Sequence, residues 1–311
     1  MTNPNPAALS PADRRDWDLA TLAVELGFST TSDLCAALGS IDSGGYSLFA
    51  LTDEMRRRVI SAPRPWLKAL QRKANEKVFS GFRVSDSVYN CRGRGVIANA
   101  ERHIGNNYLT VVDVNDCFPC TSAQAVLDAF VSLGLRAAVA GALTRLTTYH
   151  GFLPQGPPTS PAVLNVVFRP IDEALGDVAR AYDAIYTRYM DDLAFSGNRP
   201  LRGLDRGVEH VLRQFGYRGN SKKRRIWGPN DRHTVTKIVV NTKLNPEPEF
   251  LHALSMHLTR LEAGNCQLSE AQLRGKINWV TSLDKELGRS FAKRLDRRSR
   301  AIIKARRAAR T

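Results

Sequence analysis

Ala184-Ile185-Tyr186-Thr187-Arg188-Tyr189-Met190-Asp191-Asp192-Leu193-Ala194-Phe195-Ser196-Gly197 sets two adjacent carboxylates between two short apolar runs. That pattern predicts a β-hairpin with acidic side chains at its tip. Neighbouring like charges repel, and the repulsion is offset when a divalent cation lies between hard carboxylate oxygens, as Mg²⁺ prefers. An Asp pair also suits a plain solvated turn, so this stretch alone leaves both readings open.

A second stretch, Tyr108-Leu109-Thr110-Val111-Val112-Asp113-Val114-Asn115-Asp116-Cys117-Phe118, is β-branched and apolar except for its acids. A buried strand here presents Asp113 at or near its end. An unpaired carboxylate in such a place is costly. Asp113 with Asp191 and Asp192 supplies three acidic ligands from two strands, a set able to hold two Mg²⁺ ions about 3.5–4 Å apart for in-line phosphoryl transfer. One ion would activate a primer hydroxyl, and the other would hold a triphosphate and stabilise departing pyrophosphate.

The chain has 311 residues, is 43% hydrophobic and carries a formal net charge of +15. That length buries a substantial core in about two domains or several subdomains. A cation of this size expects polyanions, of which nucleic acids are the commonest for a soluble protein. Residues Met1 to Pro6 lack a basic-then-apolar signal pattern, and no run approaches the ~18 apolar residues of a membrane span. A cytoplasmic protein without membrane contact is predicted, and the odd count of five cysteines fits a reducing compartment. Cys117-Phe118-Pro119-Cys120 is a CxxC, but Cys35, Cys91 and Cys266 are scattered singly, so two small core thiols account for it better than zinc or redox chemistry.

Taken in order, residues 1 to about 45 read as amphipathic helices, one opening at Pro11-Ala12-Asp13 and the next capped by Ser32-Asp33. A strand-like Tyr46 to Leu51 follows, then arginines at 56–58 that either clamp a triphosphate or line a solvated edge. Arg92-Gly93-Arg94-Gly95 lets backbone approach phosphate, weakly. His103 lacks a suitably spaced second ligand, which favours a structural or RNA-contacting role over metal binding. Helices are predicted over Ala123 to Leu133 and Leu135 to Leu146, divided at Gly134. Gly151 to Pro161 is a rigid Pro/Gly-dense loop suited to carry a base pair or template. It opens onto a helix, Ala162 to Arg180, that Pro170 should kink. A lysine in Asn220-Ser221-Lys222-Lys223 could protonate or hold pyrophosphate. Arg289 to Arg310 holds ten Lys or Arg against the single acid Asp296, a basic amphipathic helix able to lie along a duplex backbone.

Taken together, these segments resemble a reverse transcriptase over roughly residues 56 to 283. Asp113 in V-D-V-N-D-C-F, the Leu153-Pro154-Gln155-Gly156 to Ser160-Pro161 loop, Tyr189-Met190-Asp191-Asp192 and Asn220 to Lys223 fall in that family's order. Within it the chain is most similar to bacterial retron reverse transcriptases. Asn99-Ala100-Glu101-Arg102-His103 matches their NAxxH element, Arg58 to Gln71 their fingers signature, and Val235-Thr236-Lys237 stands where they carry Val-Thr-Gly. Lys237 for Gly, Met190 for the commoner Ala and a long Gly81 to Asn99 segment depart from the pattern.

The resemblance implies an α+β, right-hand polymerase fold. N-terminal helices and fingers would take residues 1–107. A palm of antiparallel sheet plus helices would take 108–248, with a fingers insertion at about 121–150. A basic helical thumb would take 249–311. It implies Asp113, Asp191 and Asp192 as the catalytic, metal-binding residues for two Mg²⁺ ions. Phe118 would exclude a 2′-hydroxyl, and Arg58, Gln155, Gly156 and Lys223 would contact the nucleotide. Asn99, His103, Lys237, Arg294, Arg297 and Arg298 would contact RNA. The implied activity is RNA-directed DNA polymerase, a nucleotidyltransferase using deoxynucleotides. It would copy a cognate structured non-coding RNA, primed from an internal 2′-hydroxyl, into branched RNA-linked DNA (msDNA). A separate effector protein and a role in anti-phage, antiviral defence are also implied. Other defence-associated or group II intron-derived reverse transcriptases, and an inactive RNA-binding scaffold, are the alternatives.

Overall fold

The computed structural model describes residues 14–52 and 57–308, with side chains over 14–51 and 58–297. The elements run α1 (Leu19–Leu26), α2 (Thr31–Gly39), α3 (Ile41–Gly44), β1 (Tyr46–Thr52), β2 (Arg57–Pro63), α4 (Pro65–Lys77), α5 (Val96–Glu101), β3 (Tyr108–Asp113), α6 (Cys117–Cys120), α7 (Ala123–Ser132), α8 (Ala137–Thr147), α9 (Ser160–Val167), α10 (Arg169–Ala181), β4 (Ile185–Tyr189), β5 (Asp192–Gly197), α11 (Leu204–Gln214), β6 (Arg225–Trp227), β7 (Thr234–Val235), β8 (Ile238–Val239), β9 (Asn245–Pro246), α12 (Pro248–Glu262), α13 (Glu270–Leu283) and α14 (Lys285–Ala308). Helices and wholly antiparallel sheets make this the α+β fold the sequence predicts.

The central sheet has strand order β4-β5-β3-β6. Side chains alternate across it as the pleat requires. Tyr108, Val112, Leu193 and Phe195 pack into the large core with α7 to α11, whereas Leu109, Val111 and Ala194 face a smaller cluster containing Ala100, Val235, Ile238 and Val240. Asp113 shares the parity of Leu109 and Val111, and Asp192 that of Ala194. Both carboxylates therefore emerge on the side of the smaller cluster, at the end of the sheet. A third cluster, of Leu254, Leu258, Leu273, Ile277, Val280 and Leu295, belongs to α12, α13 and α14 alone.

Local signals account for most boundaries. Asp18 and Ser122 cap α1 and α7 by accepting backbone N–H groups, and Ser269 with Gln272 forms a capping box on α13. Thr30, rather than Ser32, caps α2, and Pro11-Ala12-Asp13 lies outside the described residues. Gly134, at φ 86°, makes the break between α7 and α8. The Pro170 kink is instead a full break: α9 ends before Phe168, and Pro170 occupies the first turn of α10, where its missing N–H costs nothing.

Candidate active site

The hairpin β4–β5 turns at Met190 and Asp191, with Met190 in the left-handed region at φ 56°. In the pairing of β3 with β5, Asp113 lies directly opposite Asp192, and the Val114 N–H donates to the Asp191 carbonyl at 2.9 Å. Three carboxylates thus meet at one sheet end. Asp113 accepts from Lys223 Nζ at 2.7 Å and from Asn220 Nδ2 at 3.2 Å, so both its oxygens are held. Burial, then the charges of Asp191 and Asp113, pushes the Asp192 carboxyl up to about 6. Asp191 is also raised, by burial and then Asp113, against the pull of its own backbone hydrogen bond, Lys223 and Arg58.

The carboxylates open into a cleft of 990 Å³ whose other walls include Arg58, Lys223, Arg225, Trp227 and Lys237. Among the described residues no three His, Cys, Asp or Glu side chains close around a single point. For the aspartates this agrees with their mutual repulsion and with Lys223 lying against Asp113. The donor set nonetheless suits a hard divalent cation: acidic oxygens only, two of the carboxyls raised by burial and then by their neighbours' charge. Cys117 is buried but Cys120 is exposed on α6, so only the first is the core thiol expected of the CxxC.

Arg58, Phe118, Gln155 and Lys223 line a recess together with Asp113 and Asp191. β2 and the Gln155-Gly156 loop are joined by the Ser61 N–H donating to the Gln155 carbonyl at 2.9 Å. Gly156 has φ 129°, and a Cβ there would lie 2.8 Å from the Ser61 carbonyl oxygen, so only glycine permits this approach. Lys237 is exposed at the β7–β8 turn, at φ 64° beside Thr236 at 47°, and its charge reaches Asp192.

Several residues expected to touch RNA are engaged internally. Asn99 and His103 are each 1% exposed, which corrects their reading as RNA contacts, because a buried side chain cannot meet a polymer in solvent. His103 Nδ1 lies 2.7 Å from Ser196 Oγ and Nε2 2.7 Å from Thr187 Oγ1. Burial, reinforced by Arg102, holds its pKa down at about 3, so the ring is neutral and ties α5 to β4 and β5. Arg294 pairs with Glu262 at 2.6 Å and donates to Ser255 and Thr259, which makes it a brace between α14 and α12. Arg94 donates to the Ser85 and Val88 carbonyls and so orders its own loop. Arg297 is exposed on α14, and the side chain of Arg298 lies outside the described residues.

What sequence reasoning passed over is a buried polar network behind the hairpin. Arg188 and Asp172 form an ion pair whose side chains are both 0% exposed, joined by Asn165 and Asn90. One arginine amid Ile185 to Tyr189 and one aspartate on an apolar helix face are the available signals: single charges in otherwise buried runs.

Residues 53–233 match the family described as reverse transcriptase (RNA-dependent DNA polymerase). The chain is similar to the retron Ec86 reverse transcriptase of Escherichia coli, at 29% identity over 238 residues, covering 74% of this chain and 73% of that protein. It is 30% identical over 262 residues to the retron Mx65 reverse transcriptase of Myxococcus xanthus, covering 76% of this chain and 61% of that protein. Against the retron Mx162 reverse transcriptase of the same organism it is 28% identical, spanning 58% of that protein's length. Among solved structures, telomerase from Candida albicans in complex with a fragment of telomeric RNA aligns over 80% of this chain and 56% of that one, at 9% identity and a TM-score of 0.49.

Proposed function

The chain belongs to the reverse transcriptase (RNA-dependent DNA polymerase) family, and from that premise we propose that it copies a cognate structured RNA into DNA at the Asp113–Asp191–Asp192 cleft. The observation that carries this reading is the register that sets Asp113 opposite Asp192, with Asp191 in the adjoining turn, inside the family-matched segment. In this reading residues 1–107 hold N-terminal helices and fingers, 108–248 the palm with a fingers insertion at about 121–150, and 249–311 the thumb.

Two Mg²⁺ ions held by these carboxylates would supply activation of a primer hydroxyl and neutralisation of the leaving pyrophosphate. The protein's own groups do the rest. Asn220 and Lys223 orient Asp113, and Lys223, released from it, faces the phosphates of a bound nucleotide. Arg58, exposed on β2, contacts the triphosphate. Phe118, which lines the recess beside Asp113 and Asp191, excludes a 2′-hydroxyl and so selects deoxynucleotides. Gln155 and Gly156 support the nucleotide or template on a loop fixed to β2, while Lys237 and Arg297 face nucleic-acid backbone.

Similarity to retron reverse transcriptases supports the finer reading. The template is a structured non-coding RNA and priming comes from an internal 2′-hydroxyl. The product is branched msDNA, made in the cytoplasm alongside a separate effector protein in anti-phage defence. The test is to express the chain with its native flanking DNA, extract nucleic acid, and treat it with RNase and a debranching enzyme. DNA joined to RNA through a debranchase-sensitive link is expected. DNA without the branch overturns the retron reading but keeps the polymerase, and bound RNA with no DNA overturns both.

A further inference from the structure

The turn bearing Asp191 and Asp192 depends on Met190, a non-glycine residue in the left-handed region at φ 56°. Such a conformation persists only where the surroundings over-determine it. Both peptide groups of Met190 are held by side chains from elsewhere in the molecule. Its N–H donates to Asn90 Oδ1 at 3.1 Å, and its carbonyl accepts from Arg188 Nη1 at 3.0 Å.

Each holder is itself fixed. Arg188, fully buried, donates through Nε and Nη2 to the two oxygens of Asp172 at 2.7 and 2.8 Å, and through Nη1 to Asn165 Oδ1 at 3.1 Å. Asp172 also accepts from the Tyr186 hydroxyl at 2.8 Å. Asn165 Nδ2 closes the circuit on the Asn90 carbonyl at 3.3 Å. The loop carrying Asn90 lies along β4, with the Arg188 N–H donating to the Ser87 carbonyl at 2.7 Å and the Tyr89 N–H to the Arg188 carbonyl at 2.9 Å. The Asn90 amide nitrogen has no hydrogen-bond partner, so what anchors this side chain to the turn is its single oxygen on Met190.

We propose that Asn90 is a positioning residue for polymerisation: with Arg188 it clamps Met190 and thereby sets where the Asp191 and Asp192 carboxylates stand. This rests on the reading of those carboxylates as the polymerase centre. Without the acceptor, the turn relaxes and the carboxylates move off their working geometry, because the Asn90 oxygen acts on them only through Met190. A displacement of about 1 Å at a reacting centre costs about 100-fold in rate.

The test is steady-state primer extension by the full chain, comparing wild type with Asn90→Leu, which removes the acceptor at nearly constant volume, and Asn90→Asp, which keeps it. Asn90→Leu is expected to lower kcat by about 10- to 100-fold. Nucleotide KM and primer–template affinity should stay within about twofold, and half-maximal activity should need more Mg²⁺. Asn90→Asp should restore most of the turnover. Should Asn90→Leu melt early, Asn90→Ala, which cannot overpack, is read in its place. Wild-type turnover in the acceptor-free variant overturns the clamp, as does a loss confined to KM or template affinity, or an Asp variant as slow as Leu. A wild type that makes no DNA overturns the polymerase reading instead, so the two failures are distinct.

Discussion

At the scale of single residues the site is governed by charges that dislike one another. Asp192 is raised to about 6 by burial and by Asp191 and Asp113, so a proton and a divalent cation compete for the same oxygens. Calorimetric titration with Mg²⁺ should show weaker binding at pH 5.5 than at 7.5, because below about 6 the proton must be displaced first; equal affinity at both values would contradict the assignment. Gly156 offers a different kind of test. A methyl group there meets the Ser61 carbonyl at 2.8 Å in a backbone region L-residues avoid. Gly156→Ala should therefore push the loop off β2, raise nucleotide KM in extension assays and lower the melting temperature. Phe118→Ala should admit ribonucleotides that wild type rejects, measured as the ratio of ribo- to deoxynucleotide incorporation.

Elements matter here for what they bring into register. The β3–β5 ladder carries the geometry of the site, since the two-residue pleat that buries Leu109 and Ala194 also turns Asp113 and Asp192 to one face. α5 is stapled beneath this ladder by His103. An unfolded histidine takes a proton near 6.5, whereas the folded ring takes one only near about 3. Protons therefore favour the unfolded chain between those values, and the contribution present above about 6.5 is lost as pH falls through that window. Melting curves at pH 7.5 and 5 should show a stability loss of up to about 2 kcal/mol in wild type that His103→Gln largely lacks. A His103→Gln protein with the same pH dependence as wild type would show that the staple is not the titrating group.

On the scale of the whole molecule, a formal charge of +15 separates affinity from chemistry. Asp191→Asn combined with Asp192→Asn should abolish DNA synthesis while leaving RNA affinity largely intact, as filter binding would show. Arg297→Ala should lower the slope of log affinity against log salt by about one. The sequence by itself determined the hairpin with its acidic tip, the strand ending in Asp113 and the helix break at Gly134. Those follow from periodicity and turn chemistry, which act between residues a few positions apart. It also carried the family, and with it the class of fold, through the order of its motifs. Only the tertiary structure decided which polar groups face inward. Asn99, His103 and Arg294 are all implied as contacts for RNA, yet Asn99 and His103 are buried, His103 in the structural role its spacing also allowed, and Arg294 braces α12. The same holds for the partners that matter most, Lys223 on Asp113 across 110 positions and Asn90 on Met190 across 100. Hydrogen bonds over such separations leave no local periodicity, because they exist only once the intervening chain has closed into its fold.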